Sequence, residues 1–140
     1  MTARAVLDAS AAVRMVLNGE YAAQLAAKLE EAVLVTAPDL FCSEAASALW
    51  KYVRSGILTL DLAITRLEQC LGLTDALIPE RSLAPEALAA AARHQHSVYD
   101  MMYAVLARHS FATVITADRT FALKLRDMEI ESYCPLLLEA

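Results

Sequence analysis

The sequence predicts an α/β fold, a three-layer α/β/α sandwich whose short central sheet is mainly parallel. Short apolar runs rich in Val, Ile and Leu alternate along the chain with longer segments in which apolar residues recur at helical spacing. Helices between successive strands are typical of parallel sheets, because each connection must carry the chain back to the starting edge of the sheet. With 140 residues, 58% of them hydrophobic, the chain is expected to form a single domain over residues 1–140.

The first half of the chain is predicted to contain two strands and four helices. Pro38 is expected to end the second strand, and Asp39 is expected to cap the long helix that follows it. Gly56 is expected to end that helix, and Thr59 to cap the next one. The predicted elements are the strand ARAVLD, the helix SAAVRMVL, a helix over 20–31, the strand AVLVTAPD, a helix over 39–55 and a helix over 59–71.

The second half of the chain is predicted to add three strands and three helices. Pro79 is expected to end a strand, and Pro85 is expected to open an alanine-rich helix, because proline is favoured in the first turn. Ser97 is expected to cap the helix that carries Asp100, and Asp118 to begin a short helix. The predicted elements are the strand DALIP, a helix over 85–94, a helix from 97, the strand ATVIT, a helix over 118–126 and the weak strand IESY.

Charge and hydropathy limit the class of protein. A net charge of −5 and a pI near 5.1 leave no global basic surface of the kind that marks most nucleic-acid-binding proteins. A nucleic-acid substrate would therefore have to be held by local positive charge or by metal ions. The longest stretch without Lys, Arg, Asp or Glu is residues 109–117, whereas a transmembrane helix needs roughly 20 apolar residues. No membrane-spanning helix is expected.

The N-terminus and the cysteines favour a cytoplasmic protein. Arg4 is followed by only three apolar residues before Asp8, so the apolar segment of a secretory signal is missing. Cys42, Cys70 and Cys134 are odd in number and far apart, which is typical neither of a disulfide framework nor of a zinc site. We expect all three to be buried thiols.

Four acidic residues occupy positions where a parallel sheet gathers its ligands. Asp8 and Asp118 follow predicted strands, at the carboxyl edge of the sheet where ligand sites lie. Glu44 and Asp100 lie near the starts of their helices, so all four carboxylates are expected to meet at this edge. Burying such charges is costly, and the protein must compensate for that cost.

Each acid alone also has a simpler structural interpretation. Asp8 or Asp118 alone is more often a helix N-cap. Glu44 alone is typical of a solvated helix residue that pairs with a neighbour one turn away. Asp100 alone would satisfy free N–H groups at the start of its helix. The presence of all four acids in one chain favours a shared site.

The four acids lie in four sequence blocks. VLDASAAV contains Asp8 and, two positions later, Ser10; APDLFCSEAASALWKYVRSGILT contains Glu44. YDMMYAVLAR contains Asp100 directly after an aromatic residue, and VITADRTF contains Asp118. In order and spacing these blocks resemble the PIN-domain nucleases, especially the VapC-type toxins of prokaryotic toxin–antitoxin pairs. Between the second and third blocks the chain carries no motif of that family.

The resemblance implies a metal-dependent endoribonuclease with a PIN-like fold. Carboxylate oxygens suit Mg²⁺ or Mn²⁺, and a metal-activated water is the expected nucleophile. The expected products are a 5′-phosphate and a 3′-hydroxyl. On the same resemblance, Asp8 and Asp100 are expected to be the principal metal ligands, and Glu44 and Asp118 to complete the site directly or through water.

The resemblance also implies supporting residues and partners. Ser10 and Thr116 are expected to donate hydrogen bonds that orient the carboxylates of the site. RNA is the expected substrate, and a small antitoxin of the VapB type is the expected protein partner. A mean hydropathy of +0.41 suggests more apolar surface than one copy can bury, which indicates an interface with further copies or with a partner. The resemblance implies that the protein forms a homodimer.

Basic residues and histidines near these blocks have weaker claims to a role. Arg14, Lys51 and Arg119 lie close to the acids in sequence and are candidates for phosphate contacts, but solvated surface charge is the favoured interpretation. His94 and His96 are two positions apart and therefore point apart on a helix. We interpret both as surface or helix-end histidines rather than metal ligands.

The aromatic residues near the second acid favour packing. Phe41, Trp50 and Tyr52, with Leu49, are candidates for a base-stacking platform. Their helical spacing is more typical of a packed face in the core or in a dimer.

Two other classes of protein remain as alternatives. A receiver-like phospho-acceptor domain also gathers carboxylates at strand ends, but it should have paired acids after its first strand and a late lysine, whereas this chain has a lone Asp8. A catalytically silent PIN-like interaction module is the second alternative, and the intact acids argue against it.

Overall fold

The computed structural model describes residues 3–138 and contains a parallel sheet, as predicted. The strands are β1 (Arg4–Leu7), β2 (Leu34–Pro38), β3 (Ala76–Ile78), β4 (Thr113–Ile115) and β5 (Ser132–Tyr133). They form one sheet in the order β3-β2-β1-β4-β5, and every neighbouring pair is parallel. All five lie where the sequence predicts strands.

Seven α-helices within residues 3–138 connect these strands. They are α1 (Ala9–Val16), α2 (Ala22–Glu30), α3 (Leu40–Arg54), α4 (Leu60–Gly72), α5 (Glu80–His94), α6 (Val98–Ser110) and α7 (Arg119–Asp127), and a short 3₁₀ helix (Pro135–Leu137) follows β5. Helices α1 to α4 lie between β1 and β3, and α5 and α6 lead back to β4. Because crossovers between parallel strands are right-handed, these two groups cover opposite faces of the sheet. The three-layer sandwich is thereby confirmed.

Helix α6 is the central helix of its layer. It packs against β1, β2 and β4 on one side and against α5 on another. All residues from 101 to 107 are buried, which explains why the chain around Asp100 is almost entirely apolar. A helix that is apolar all round is stable only when it is enclosed in this way.

The chain changes direction across the sheet at β1. It adds β2 and β3 on one side of β1, and then places β4 and β5 on the other side. Such a switch point leaves a crevice at the carboxyl ends of the two strands that flank it, here β1 and β4. The residues that directly follow these two strands therefore lie at a natural ligand site.

Two predicted helix caps make the expected contacts. The Thr59 hydroxyl accepts a hydrogen bond from the Leu62 N–H at 3.2 Å. The Ser97 hydroxyl accepts from the N–H groups of Tyr99 and Asp100, at 3.1 and 3.4 Å. Each cap satisfies donors that have no partner inside their own helix.

The prediction that Asp39 caps α3 is wrong. Its backbone already has helical angles (φ −68°, ψ −12°), whereas an N-cap residue is normally extended, and its side chain makes no capping bond to α3. Instead, Asp39 Oδ1 accepts a hydrogen bond at 2.8 Å from the N–H of Glu80, the first residue of α5. The Asp39 N–H donates to the Ile78 carbonyl, also at 2.8 Å. Asp39 therefore joins the end of β2 to the turn between β3 and α5.

The prediction that α5 begins at Pro85 is also wrong. The helix begins at Glu80, directly after Pro79, and Pro85 lies within it. Proline in the second turn removes a backbone donor, so the start at Glu80 needs support from elsewhere. The Asp39 carboxylate provides that support from a position 41 residues away in sequence.

The cysteines agree in part with the expectation that all three are buried thiols. Cys70 and Cys134 are buried, whereas Cys42 is half-buried, and all three are free thiols. Burial raises the pKa of Cys70 to about 11.

Within the described chain, no helix is both long enough and apolar enough to cross a membrane.

We expect Asp39→Ala to lower the free energy of unfolding by about 1 kcal/mol, because it removes a helix cap. The amide of Glu80 should also exchange faster with solvent, since its acceptor is lost. Urea unfolding and amide exchange followed by NMR would measure both effects. Loss of protection in the first turn of α3, with Glu80 unchanged, would restore the original interpretation of Asp39.

Candidate active site

The register of β1 and β4 places Asp8 beside Thr116. Leu7 lies opposite Ile115 in this parallel pair, and the Asp8 N–H donates to the Ile115 carbonyl at 2.9 Å. The next residues, Asp8 and Thr116, are thus neighbours at the carboxyl edge. The Thr116 hydroxyl donates to Asp8 Oδ2 at 2.7 Å, and Thr116 is fully buried.

A small hydrogen-bond network fixes the Asp8 carboxylate. Ser10, in the first turn of α1, also donates to Asp8 Oδ2, at 2.8 Å. The Ser10 hydroxyl accepts from the Ala117 N–H and the Thr116 hydroxyl accepts from the Asp118 N–H, each at 3.0 Å. Because backbone donors occupy their acceptor positions, both hydroxyl protons are directed to Asp8. Ser10 and Thr116 therefore make the kind of contact that the sequence predicted for them.

Asp8 is a buried acid with a raised pKa. Only 6% of the residue is exposed, and desolvation raises the pKa of its carboxyl group from 3.8 to about 6. The hydrogen bonds from Thr116 and Ser10 oppose this rise, whereas the charges of Asp100 and Asp118 add to it. Asp8 occupies the N-cap position of α1, yet its side chain makes no capping bond. The simpler interpretation as an N-cap therefore does not apply to its carboxylate.

Glu44 is held by a tyrosine from the opposite layer. It lies in the second turn of α3, half-buried, and its Oε1 accepts a hydrogen bond at 2.7 Å from the hydroxyl of Tyr103 on α6. Desolvation raises the pKa of Glu44 from 4.5 to about 7, the Tyr103 hydrogen bond opposes the rise, and the charges of Asp8, Asp100 and Glu80 contribute to it. Glu44 is thus not a solvated residue of an exposed helical stripe.

Asp100 is paired with a histidine that precedes its helix. His96 Nε2 lies 2.7 Å from Asp100 Oδ2, and both side chains are largely buried. The imidazole ring stacks on Phe121 of α7, with ring centroids 6.0 Å apart. Burial raises the pKa of Asp100, and the contact with His96 opposes that rise. Since Ser97 already serves the free N–H groups, Asp100 is not needed as a cap.

The interpretation of His96 as a surface or helix-end histidine is therefore wrong. The ring is held between Asp100 and Phe121 and belongs to the site. His94, by contrast, makes no contact with these acids among the described hydrogen bonds.

Asp118 does have the capping role that its position suggests. Its Oδ1 accepts a hydrogen bond at 3.1 Å from the Phe121 N–H, in the first turn of α7. The residue is exposed, and its charge acts on both Asp8 and Asp100. The capping function and proximity to the other acids are compatible, because the cap uses one oxygen of the carboxylate.

The four predicted acids influence one another across the edge of the sheet. The charges of Asp100 and Asp118 raise the pKa of Asp8, and the charges of Asp8 and Asp100 raise the pKa of Glu44. Like charges at this spacing raise the pKa of one another, because each disfavours ionisation of its neighbour. The structure therefore brings the acids of four separate sequence blocks close enough for their charges to act on one another.

Sequence reasoning missed three residues of this site. Tyr103 lies one helical turn after Asp100, so helical spacing would have placed it beside that acid, whereas His96 precedes α6 and only the fold shows its contact with Asp100. The charge of Glu80 raises the pKa of Glu44, but only the fold reveals that the two residues are near one another.

The aromatic candidates near Glu44 separate into two groups. Phe41 and Leu49 are buried in the core, as the packing interpretation predicts. Trp50 and Tyr52 are exposed, at 55% and 37%.

The acids offer suitable donors for a divalent metal ion without a preformed ligand cage. Within residues 3–138, no three side chains of His, Cys, Asp or Glu are grouped closely enough to hold one ion. One oxygen of each acid faces a protein donor instead. The set nevertheless fits a hard cation such as Mg²⁺ or Mn²⁺, because its donors are carboxylate oxygens whose mutual repulsion a cation relieves. Asp8, Glu44, Asp100 and Asp118 are the residues available to hold it.

Comparison with known protein families decides the identity of the fold. A family model described as the PIN domain matches residues 5–124, a range that includes all four acids. The chain belongs to the PIN-domain family. Within this PIN domain the crevice between β1 and β4 contains Asp8 and Asp118, and α6 brings Asp100 to the same edge.

Individual relatives agree with this assignment. Ribonuclease VapC3 of Pyrobaculum aerophilum is 32% identical over 121 residues, which cover 85% of this chain and 92% of that protein. The crystal structure of PAE2754 from Pyrobaculum aerophilum matches with a TM-score of 0.69 and 27% identity over 89% of this chain and 87% of that one. FitAcB from Neisseria gonorrhoeae matches with a TM-score of 0.64 over 94% and 98% of the two chains, and at 18% identity it shows the fold alone. The predicted resemblance to VapC-type PIN proteins is confirmed.

The raised pKa of Asp8 predicts how the stability of the metal-free protein depends on pH. A carboxyl group whose pKa is about 6 when folded and 3.8 when unfolded keeps its full contribution to stability below pH 4 and loses it as the pH rises through 6. Asp8→Asn removes this loss. The free energy of unfolding of the variant, relative to wild type, should therefore rise by about 3 kcal/mol at most between pH 4 and 7.

Urea unfolding in chelator-treated buffer at pH 4.5 and 7 would measure this change. Asp127→Asn is the matched control, because Asp127 is an exposed residue at the end of α7. A difference between Asp8→Asn and wild type that does not vary with pH would contradict the raised pKa of Asp8.

Proposed function

We propose that this VapC-type PIN protein is a Mg²⁺- or Mn²⁺-dependent endoribonuclease that cleaves RNA at the carboxyl ends of β1 and β4. The observation that carries the proposal is the environment of Asp8. This acid is buried and is held by two hydroxyl donors, and the charges of Asp100 and Asp118 raise its pKa. Such an arrangement costs stability in the absence of a cation, and a strained cluster of acids is typical of a functional site. The cytoplasm is its proposed location.

The proposed roles follow from the depth and partners of each acid. Asp8 and Asp100 are the principal ligands, because each is largely buried and oriented by protein donors. Asp118 completes the site with the oxygen that does not cap α7. Ser10 and Thr116 keep Asp8 in place, as hydrogen-bond partners of metal ligands commonly do.

Glu44 is the group best suited to accept a proton at neutral pH. Its pKa is about 7 in the metal-free protein, close to the value that favours general base catalysis. Tyr103 occupies Oε1, so the proton of an attacking water is accepted at Oε2. Bound at the acids, Mg²⁺ or Mn²⁺ supplies positive charge that stabilises the developing negative charge on the phosphate and acidifies water. The attack forms a bond from the water oxygen to phosphorus and breaks the bond from phosphorus to the 3′ oxygen. The leaving 3′ oxygen takes a proton from solvent, so the products are a 3′-hydroxyl and a 5′-phosphate.

The first test of this proposal is cleavage of a single-stranded oligoribonucleotide. We expect cleavage with Mg²⁺ or Mn²⁺ and none with EDTA. Asp8→Asn and Asp100→Asn should each lower the rate by about 100-fold or more, because loss of a charged ligand disturbs the metal and the attacking water. Gel electrophoresis with end-labelled RNA would measure the rate and identify the ends of the products.

Asp127→Asn serves again as the control and should cleave at the wild-type rate. Full activity of Asp8→Asn, or cleavage in EDTA, would overturn the nuclease proposal. A wild-type protein that binds RNA without cleaving it would favour the silent interaction module instead.

The proposed assembly is a homodimer that also binds a small antitoxin of the VapB type. Its support is an exposed apolar surface on α3, α4 and the turn between them. Trp50, Ile57, Leu60 and Ile64 are 55%, 68%, 62% and 48% exposed. Several of them line a groove of about 190 Å³ whose walls are apolar (Ala46, Leu49, Trp50, Val53, Leu60, Ala63, Ile64 and Leu67). Clustered apolar exposure of this kind is typical of an interface. We assign this surface to the homodimer.

The dimer can be tested through the single tryptophan of the chain. Light scattering at micromolar concentration should give twice the mass of 15.2 kDa. On dilution the dimer should dissociate, and the fluorescence of Trp50 should shift to longer wavelength as water reaches the indole ring. Trp50→Glu should be monomeric. A dimer whose Trp50 emission is insensitive to dilution would place the interface elsewhere, and a monomer at all concentrations would contradict the homodimer.

A further inference from the structure

Tyr103 is a fully buried polar side chain that contacts Glu44, one of the four acids of the site. It is 0% exposed, and its hydroxyl donates to Glu44 Oε1 at 2.7 Å, a length typical of a charge-assisted hydrogen bond. Packing alone does not require the hydroxyl, because phenylalanine has the same ring. A buried hydroxyl is costly unless it is hydrogen-bonded, so its presence depends on Glu44.

The position of Tyr103 connects three elements of the site. It lies one helical turn after Asp100 on α6, and it reaches Glu44 on α3 from the other helix layer. The backbone of Ala9, next to Asp8, also acts on its hydroxyl. The Tyr103 hydroxyl is the donor of this hydrogen bond, because an ionised carboxylate can only accept. One neutral group therefore contacts or adjoins three of the four acids.

We propose that Tyr103 is a positioning residue that holds Glu44 by Oε1 and directs Oε2 toward the metal and the attacking water. Glu44 is the acid that most needs such help, because it lies on a half-exposed helix surface and has three rotatable bonds. Within the described contacts its Oε2 has no hydrogen bond, so the tyrosine fixes the carboxylate while leaving that oxygen available. This inference rests on the proposed nuclease function. It adds to the four acids a residue of α6 that positions one of them.

The variant that tests the proposal is Tyr103→Phe, which removes the hydroxyl and keeps the ring. Its control is Tyr52→Phe, which removes an exposed hydroxyl on α3. Two quantities are measured for each protein. The first is the kcat and KM for cleavage of a short oligoribonucleotide at saturating Mn²⁺. The second is the Mn²⁺ concentration that gives half of the metal-induced rise in melting temperature, which needs no turnover.

We expect Tyr103→Phe to lower kcat by about tenfold and to raise the half-effective Mn²⁺ concentration by a similar factor, because partners of metal ligands commonly contribute 10- to 100-fold. The KM for RNA should change less than about twofold, since the hydroxyl is buried away from substrate. Tyr52→Phe should match wild type. Equal kcat and equal Mn²⁺ dependence for Tyr103→Phe and wild type would overturn the proposal.

A double-mutant cycle with Glu44→Gln separates positioning from a general loss of stability. If Tyr103 acts through Glu44, adding Tyr103→Phe to Glu44→Gln should cause no further loss of kcat. An equal additional loss in that background would show that the hydroxyl acts elsewhere and would overturn the proposal. Glu44→Asp provides a second route should Tyr103→Phe fold poorly, because it shortens the carboxylate beyond reach of the phenol. It should reproduce the losses in kcat and Mn²⁺ dependence, and wild-type behaviour would again contradict the proposal.

Failure of this proposal is distinguishable from failure of the nuclease function. Wild-type cleavage by Asp8→Asn overturns the nuclease function itself. Loss of activity in Asp8→Asn and Glu44→Gln, with Tyr103→Phe unaffected, overturns only the role of Tyr103.

Discussion

The parallel pairing of β1 with β4 is the constraint on which the site depends. Leu7 lies opposite Ile115, so the chain leaves both strands at the same level, and Asp8 meets Thr116 there. Moving this register by one residue would turn the Asp8 side chain to the opposite face of the sheet. Since Asp8 and Thr116 are 108 residues apart in sequence, the site exists only in the completed fold.

The protein holds each acid of the site with a different set of hydrogen-bond donors. Asp8 is enclosed by hydroxyl groups, Glu44 and Asp100 are each held by one aromatic or imidazole donor, and Asp118 is anchored by a backbone N–H. Every donor is neutral or a histidine rather than lysine or arginine. The hydrogen bonds therefore fix the geometry without cancelling the negative charge that a divalent cation requires.

The sequence was sufficient for the order of elements and the parallel sheet, because these leave local patterns of hydropathy and spacing, and it pointed to four acids whose charges act on one another in the fold. It was insufficient where a contact joins distant segments. Asp39 has the residue type and the position of a cap for α3, but it caps α5 instead, because the pairing of β2 with β3 brings Glu80 next to it. His96 was interpreted as a surface or helix-end residue and Tyr103 was not considered, because the fold determines the hydrogen-bond partner of each. Helical spacing from Asp100 would have located Tyr103 alone, since His96 lies before the start of α6.

The two edges of the sheet have a consequence for solubility. The outer strands β3 and β5 contain three and two residues, so they expose very few unpaired backbone groups. A long, flat edge in a chain with a mean hydropathy of +0.41 would be a template for another copy to add as a further strand. The short edges restrict such growth into fibrous aggregates, and they leave side-chain surfaces on the helices, rather than backbone pairing, as the basis of the proposed homodimer.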